Sequence, residues 1–260
     1  MTRLIESLDD VSEAYDALFC DLWGCYHDGL TPYPAAVAAL RRFRASGGRV
    51  ILLTNAPRPS TEVASHLAAM GAPEDSWDAL VSSGDAARAE VARGAYGRRV
   101  EHVGPARDLP FFEGLDVERV ARAEAEAVVC TGLYDDETEV AEDYAAAIAE
   151  WRARDLPMLC ANPDVIVDRG EKRLFCAGAI AAAYGEAGGS VAYAGKPHAP
   201  IYALAEARLT ELGGGGRVLA LGDGIATDVA GGAARALDTL FLTGGLMAHA
   251  FGPDPDRPDE

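Results

Sequence analysis

Short apolar runs alternate with amphipathic stretches in the first eighty residues and again near the end of the chain. The runs at 17–20, 50–53 and 218–221 have the length of strands and no polar interruption, which is typical of parallel strands covered on both faces. Between the first two runs, the apolar residues Val37 and Leu40 fall on one face of a helix. The pattern predicts a parallel sheet built by right-handed strand–helix–strand crossovers.

The middle of the chain, residues 85–184, has the pattern of a separate unit. Its predicted strands and helix are 99–103, 126–130, 156–161 and, for the helix, 138–154. The first pattern resumes with the apolar run 191–194. We therefore predict an α/β fold in which residues 1–84 and 185–260 form a doubly wound parallel sheet with its helices. Residues 85–184 are predicted to be an inserted α/β domain.

Polar side chains follow the predicted strands at the point where each strand ends. The carboxyl ends of parallel strands meet at one edge of a sheet, which is where ligands bind in open α/β folds. We expect these polar groups to gather at that edge and to form a site. They are Asp21, Thr54, Asn55, Lys196, Asp223 and, five residues after Asp223, Asp228.

This set of groups suits phosphoryl transfer. Asp21 and Asp223 can hold Mg²⁺ together with the carbonyl oxygen of Trp23, several waters and a substrate phosphate. Asp228 is the fourth predicted metal ligand. Lys196 would neutralise charge on Asp21 and on the phosphoryl oxygens, and the Thr54 hydroxyl would bind a further oxygen. Asn55, next to Thr54, is also a candidate for phosphate binding. Attack of Asp21 on phosphorus would form an aspartyl-phosphate, which water must then cleave.

Composition narrows the range of partners. The net charge of -18 disfavours nucleic-acid binding, which needs a basic face. Five cysteines without a CxxC pair suggest reduced thiols and a cytoplasmic location. No apolar stretch approaches the length of a membrane span, and the acidic start of the chain does not resemble a signal peptide. We expect a cytoplasmic protein that neither binds nucleic acid nor spans a membrane.

Three segments carry a resemblance to a known family. They are TNAP at 54–57, GKPHAPIY at 195–202 and LGDGIATDVAGGAARALDTLFLTGG at 221–245. With Asp21 they resemble the haloacid dehalogenase (HAD) superfamily, class IIA, which includes sugar-, nucleotide- and pyridoxal-phosphate phosphatases. The resemblance implies a Mg²⁺-dependent phosphatase that acts on a small phosphorylated metabolite. It also implies that residues 85–184 are the α/β cap, and it allows a homodimer, because caps of this class can carry dimer contacts.

The Asn-Pro-Asp turn matches a segment that class IIA carries in its cap. Cap residues of the family lie over the phosphate and select the leaving group. Asn162 and Asp164 are therefore candidate substrate contacts. Stabilisation of the turn by the same side chains is the alternative.

One position departs from the phosphatase pattern. The family usually has Asp-x-Asp-Gly, whose second Asp is the general acid and base, but here Trp23 takes that place. An indole N–H donates a hydrogen bond and cannot exchange a proton at physiological pH. The chain is similar to a subset of class IIA with Asp-x-Trp-Gly and a histidine shortly after it. His27 either replaces the missing acid, for which its ordinary pKa is suitable, or binds backbone or substrate.

Three other functions compete with the phosphatase. A catalytically impaired HAD-like protein that binds a ligand or regulates a partner would explain the loss of the acid. A metal-independent 2-haloacid dehalogenase also has an aromatic residue two positions after its nucleophile, but Asp223 and Asp228 would then have no metal to bind. A receiver-type phosphoacceptor shares the Asp at a strand end. Its chain would be about half as long, on the scale of ordinary domain sizes.

Overall fold

The computed structural model describes residues 3–169 and 172–252. Its strands are β1 Ala17–Cys20, β2 Arg49–Thr54, β3 Ala79–Ser82, β4 Arg99–Val103, β5 Glu118–Arg119, β6 Ala127–Cys130, β7 Met158–Cys160, β8 Ile166–Arg169, β9 Lys172–Phe175, β10 Val191–Tyr193, β11 Val218–Gly222 and β12 Asp238–Phe241. Its α-helices are α1 Pro34–Ala45, α2 Ser60–Ala69, α3 Ser83–Ala92, α4 Ala145–Ala153, α5 Ala177–Glu186, α6 Ala199–Glu211 and α7 Ala230–Ala234.

The first sheet has the order β12-β11-β1-β2-β3. Strands β12, β11, β1 and β2 run parallel, as the sequence predicts. Every residue of β1 is buried, and so is β2 after Arg49, because both strands lie inside the sheet with both faces covered. The carboxyl ends of β1, β2 and β11 therefore meet at one edge.

Helix α1 shows how the local sequence builds the layer on this sheet. Pro34 occupies the first turn, where the missing N–H costs nothing. Val37, Leu40 and Phe43 recur at helical spacing and are the buried residues of the helix. Gly47, at φ 99°, adopts the left-handed conformation that ends it.

The second sheet has the order β10-β7-β6-β4-β5, and each neighbouring pair is parallel. The sequence analysis groups 191–194 with the first pattern, whereas β10 pairs with β7 in the second sheet. The core beside this sheet contains Trp151, Ile180 and Tyr184, all fully buried. The Trp151 indole donates to the buried Glu101 carboxylate at 2.6 Å, so the large polar ring is satisfied.

The predicted helix at 138–154 is shorter than expected. A 3₁₀ turn at Ala141–Tyr144 precedes α4, and residues 135–139 form a turn instead. The carboxylate of Asp135 accepts hydrogen bonds from the Glu137 N–H and the Thr138 hydroxyl. Such local side-chain bonds compete with a helix, and for this reason the acidic first half does not join it.

The chain divides into two compact units. One comprises Met1–Thr54, Ala64–Val81 and Tyr202–Glu260, and the other comprises Asn55–Val63 and Ser82–Ile201. We call them the first and second units. No helix within the described ranges is both long and apolar enough to cross a membrane.

Candidate active site

Asp21 and Asp223 follow neighbouring strands of the first sheet. In the register of β1 and β11, Cys20 lies opposite Leu221, and the Asp21 N–H donates to the Leu221 carbonyl at 2.9 Å. Both carboxylates are buried, with 7% and 5% of each residue exposed. Thr54, the last residue of β2, ends at the same edge and is also buried. The first unit thus brings together the predicted groups at 21, 54 and 223.

The loop after Asp21 folds back tightly. The Leu22 carbonyl accepts hydrogen bonds from the N–H groups of Cys25, Tyr26 and His27, at 3.3, 2.7 and 3.0 Å. Gly24 has φ 81°, and a Cβ there would overlap the Asp223 carboxylate. Only glycine meets both conditions, so Gly24 lets the loop lie directly against Asp223.

The folded loop brings a thiol to the two carboxylates. Ligand atoms of Asp21, Cys25 and Asp223 all lie within 4.8 Å of one another. Burial raises the pKa of the Cys25 thiol well above its usual range, and Asp21 and Asp223 add to this effect. The thiol is therefore neutral at pH 7.

These donors fit a divalent cation. Two buried carboxylates at this separation repel each other, and a cation bound between them would offset that repulsion. One oxygen of Asp223 also accepts from the Leu246 N–H at 2.6 Å, which fixes the orientation of the carboxylate. The arrangement is typical of a site whose ligands are held before the metal binds.

Asp228, the fourth predicted metal ligand, is placed differently. It lies in a π-helical turn, Ile225–Val229, which begins three residues after the end of β11. One of its oxygens accepts from the Gly224 N–H and from the Thr227 hydroxyl, both at 3.2 Å. Among the described residues, the metal-ligand cluster contains Asp21, Cys25 and Asp223 and does not extend to Asp228. These contacts favour a role for the Asp228 carboxylate in stabilising the loop at 223–224.

Trp23 and His27 pack against each other in the same loop. Their rings meet edge to face with centroids 5.3 Å apart. The His27 Nδ1 accepts from the Gly29 N–H at 2.9 Å. Burial, with a smaller contribution from His66, lowers the pKa of His27 to about 4. At pH 7 the imidazole is neutral and is a poor proton donor, so these contacts favour the structural alternative for His27.

In the second unit, Asn55 joins two of the other predicted residues. Its Oδ1 accepts from the Lys196 N–H at 2.7 Å, and its Nδ2 donates to the Lys196 carbonyl at 3.2 Å and to Asp164 Oδ1 at 2.8 Å. Asn162 accepts from the Asp164 N–H at 3.1 Å through its own Oδ1. These bonds favour a role for Asn55 and Asn162 in positioning Lys196 and the Asn-Pro-Asp turn. Direct contact of Asn55, Asn162 and Asp164 with a substrate stays a prediction.

The comparisons with known proteins identify the family. A solved hydrolase of the haloacid dehalogenase-like family from Brucella suis 1330 is 47% identical to the chain. The similarity covers 96% of this chain and 93% of that one, with a TM-score of 0.90. The family model "Haloacid dehalogenase-like hydrolase" matches residues 18–118. The chain belongs to this family of hydrolases.

Two further structures extend the comparison. A glycerol phosphate phosphatase from Mycobacterium tuberculosis, in complex with magnesium, is 28% identical over 95% of this chain and 74% of its own, with a TM-score of 0.71. A p-nitrophenyl phosphatase from Archaeoglobus fulgidus is 22% identical over 94% and 97%, with a TM-score of 0.69, and shows the fold alone. The search of curated proteins found no match. These findings confirm the predicted α/β fold of a HAD-like hydrolase.

In each unit, the structure places beside the predicted groups further residues that the sequence analysis does not single out. Cys25 lies beside both carboxylates, and a Cβ at Gly245 would overlap Asp223. In the second unit, Ser83 Oγ is buried without a hydrogen-bond partner in the described residues, and Gly195 lies against it and Asn55. Both glycines had a signal in the sequence, since Gly195 follows the predicted strand 191–194 and Gly245 ends the segment 221–245 that carries the family resemblance. The thiol and the hydroxyl had none.

Proposed function

We propose that the protein is a Mg²⁺-dependent phosphatase of the HAD family that hydrolyses a small phosphorylated metabolite through an aspartyl-phosphate at Asp21. The observation that carries the proposal is the pair of buried carboxylates, Asp21 and Asp223, at the carboxyl ends of adjacent parallel strands. The magnesium complex of the glycerol phosphate phosphatase, which is 28% identical, supports the choice of metal and reaction.

The carboxylates of Asp21 and Asp223 and the carbonyl oxygen of Trp23 would hold the metal. When bound, Mg²⁺ would offset repulsion between a phosphate dianion and the attacking carboxylate. The Leu246 N–H orients Asp223, and Gly24 leaves room for its carboxylate. Asp228 supports the loop beneath, and its predicted role as a direct ligand stays a prediction.

Asp21 then attacks phosphorus, and the leaving oxygen departs with the electron pair of the broken P–O bond. Water cleaves the aspartyl-phosphate in a second step and restores the Asp21 carboxylate. The Thr54 hydroxyl at the same edge is proposed to bind a phosphoryl oxygen. The role of Lys196 in neutralising the phosphate stays a prediction, tested by Lys196→Met, which should lower turnover and leave Mg²⁺ binding intact.

The missing acid has a consequence for substrate choice. Trp23 cannot protonate the leaving oxygen, and His27, neutral with a pKa of about 4, is a poor donor. We therefore expect substrates whose leaving group is stable as an anion, such as aryl phosphates, to be hydrolysed faster than alkyl phosphates. If His27 is nonetheless the replacement acid, this preference should be weak.

We further propose that the chain belongs to class IIA, in its subset with Asp-x-Trp-Gly, and that residues 85–184 are its cap. Support comes from the separate parallel sheet of the second unit, whose strands β4, β5, β6 and β7 lie in this segment. The cytoplasmic location and the homodimer stay predictions of the sequence.

A substrate panel tests the proposal. The protein is incubated with Mg²⁺ and p-nitrophenyl phosphate, sugar phosphates, nucleotides and pyridoxal phosphate, beside Asp21→Asn. We expect turnover of at least one substrate and its loss in the variant. Absence of turnover throughout would favour the impaired ligand-binding alternative, for which the replacement of the acid by Trp23 is the supporting observation. Halide release from 2-haloacids in the presence of EDTA would instead establish the dehalogenase.

A further inference from the structure

Cys25 has a position that the phosphatase reaction does not use. It is buried, with 5% exposed, and its Sγ lies within 4.8 Å of ligand oxygens of both Asp21 and Asp223. Its backbone is fixed by the hydrogen bond from its N–H to the Leu22 carbonyl at 3.3 Å. The thiol is held beside the carboxylates by the fold of the loop.

Thiol sulfur is a poor ligand for Mg²⁺, which prefers oxygen donors and keeps several waters. It is a good ligand for Zn²⁺ and Co²⁺, which bind sulfur and carboxylate oxygen together. Zinc sites with three protein ligands and one open position are common in enzymes. The set of one thiol and two carboxylates therefore suits a thiophilic divalent cation better than it suits Mg²⁺.

The geometry is compatible with one shared ion. Bonds of about 2.0–2.3 Å from a tetrahedral ion to its ligands place two ligand atoms roughly 3–4 Å apart. The observed limit of 4.8 Å is close to that spacing, so rotation of the three side chains is sufficient. The thiol proton would be released to solvent on binding.

We propose that Cys25 is a third protein ligand at the Asp21–Asp223 site, which lets this centre bind a thiophilic divalent cation in competition with Mg²⁺. Such an ion would occupy the place of Mg²⁺ between Asp21 and Asp223, so it would displace the metal that the proposed reaction uses and would inhibit the enzyme. The inference rests on the metal site of the proposed function, and it does not depend on which phosphate ester is hydrolysed.

Cobalt absorption tests the ligand directly. Metal-free protein is titrated with Co²⁺, and a thiolate-to-cobalt charge-transfer band in the near ultraviolet is sought. We expect the band in the wild type and its loss in Cys25→Ser. Cys20→Ser is the matched control, because Cys20 is also buried, directly precedes Asp21 and donates to the Asp21 carbonyl at 3.2 Å without belonging to the cluster. Its band should be intact.

Calorimetry with Zn²⁺ and Mg²⁺ gives the second readout. Cys25→Ser should weaken Zn²⁺ binding by at least about tenfold, the lower end of what loss of even an outer-shell partner costs a metal site. Its Mg²⁺ affinity should change by less than about threefold, because Mg²⁺ does not use sulfur. Asp223→Asn should weaken both ions.

The outcomes separate the two proposals. Mg²⁺ binding without a charge-transfer band in the wild type would overturn the role of Cys25 and leave the phosphatase proposal intact. A band that persists in Cys25→Ser would do the same. Failure of the wild type to bind Mg²⁺ at all would overturn both. The wild-type spectrum decides the question even if Cys25→Ser does not fold.

Discussion

At the edge of the first sheet, two carboxylates and a thiol lie within 4.8 Å of one another. Around Lys196 in the second unit, a neutral amide makes three hydrogen bonds, two to the Lys196 backbone and one to Asp164. The first arrangement concentrates like charge in a buried place. The second satisfies polar groups with partners of matching character, as buried polar groups usually require.

The two arrangements are suited to different roles, one to metal binding and catalysis and the other to the orientation of neighbouring groups. Carboxylates held close to each other against their repulsion are suited to bind a cation and to act as a nucleophile, so removal of one should weaken metal binding. An amide whose donors and acceptor are satisfied by the protein orients its neighbours, so its removal should misplace them without affecting the metal. Substitutions in each group test whether the two arrangements divide in this way.

Asp223→Asn should have the largest effect. It removes one negative charge from the cluster while the Oδ atom that accepts from Leu246 can remain in place. Because a catalytic metal supplies several kcal/mol of charge stabilisation, we expect turnover to fall by at least about 10²-fold. Mg²⁺ affinity, measured by calorimetry, should fall with it.

Asp238→Asn is the control for a loss of charge nearby. Asp238 begins β12 and is paired with Arg217 at 2.9 Å on an exposed surface, where ion pairs contribute little. Its activity and Mg²⁺ affinity should equal those of the wild type. If Asp223→Asn keeps full Mg²⁺ affinity, the metal does not bind at the carboxylate pair.

Trp23→Asp should raise turnover for substrates with poor leaving groups. A carboxyl at this position can supply the proton that indole cannot, and general acid catalysis is worth about 10²–10⁴-fold. We expect an increase of about 10² for an alkyl phosphate and little change for p-nitrophenyl phosphate. The measurement is the slope of log kcat against leaving-group pKa, which should become shallower.

Trp23→Asn separates proton transfer from the loss of the ring. The indole is packed on His27, and a Cβ at Gly29 would collide with it, so any smaller residue relaxes the loop. Asn has no exchangeable acid and should keep the steep slope of the wild type. An equal gain in Trp23→Asn and Trp23→Asp would show that space, and not a proton, limits the reaction.

Asn55→Ala tests the second group. Loss of its hydrogen bonds to the Lys196 backbone and to Asp164 should lower kcat by about tenfold, since a typical hydrogen bond contributes roughly 0.5–1.5 kcal/mol. Mg²⁺ affinity should be unchanged. Asp164→Asn is the matched variant, because it retains an oxygen that can accept from Asn55 and should stay within about threefold of the wild type. A large loss in Asp164→Asn would instead support a charged contact with substrate.

The sequence predicts the first sheet and its two carboxylates because the information is local. An apolar run ending in a polar residue identifies a buried parallel strand and the side chain at its carboxyl end, and both Asp21 and Asp223 follow this rule. The rule does not say which sheet a strand joins. Val191–Tyr193 has the same pattern and pairs with β7 of the second sheet.

The side-chain partners in the candidate site depend on long-range contacts, which cannot be recognised in a single sequence. Asn55 and Lys196 are 141 positions apart in the sequence. Nothing in the two segments predicts that the Asn55 amide binds the backbone of Lys196. Cys25 resembles an ordinary core thiol until the turn at Gly24 places it beside Asp223. The position of a side chain at the end of a strand can be predicted from the pattern, whereas its partners can be identified only in the folded structure.

The smallest effect is expected for His27→Asn, which sharpens the assignment of the loop. An Asn oxygen can replace Nδ1 as acceptor for the Gly29 N–H, so the loop should keep its fold. We expect kcat to change by less than about threefold for aryl and alkyl phosphates alike, because a neutral, buried imidazole contributes little proton transfer at pH 7. A fall in kcat of about 10²-fold that is confined to alkyl phosphates would identify His27 as the general acid that replaces the Asp missing at position 23. His27→Ala lacks the acceptor for the Gly29 N–H, so its thermal unfolding midpoint should be lower whether or not His27 is the acid. The comparison of leaving groups, and not stability, therefore decides the role of His27.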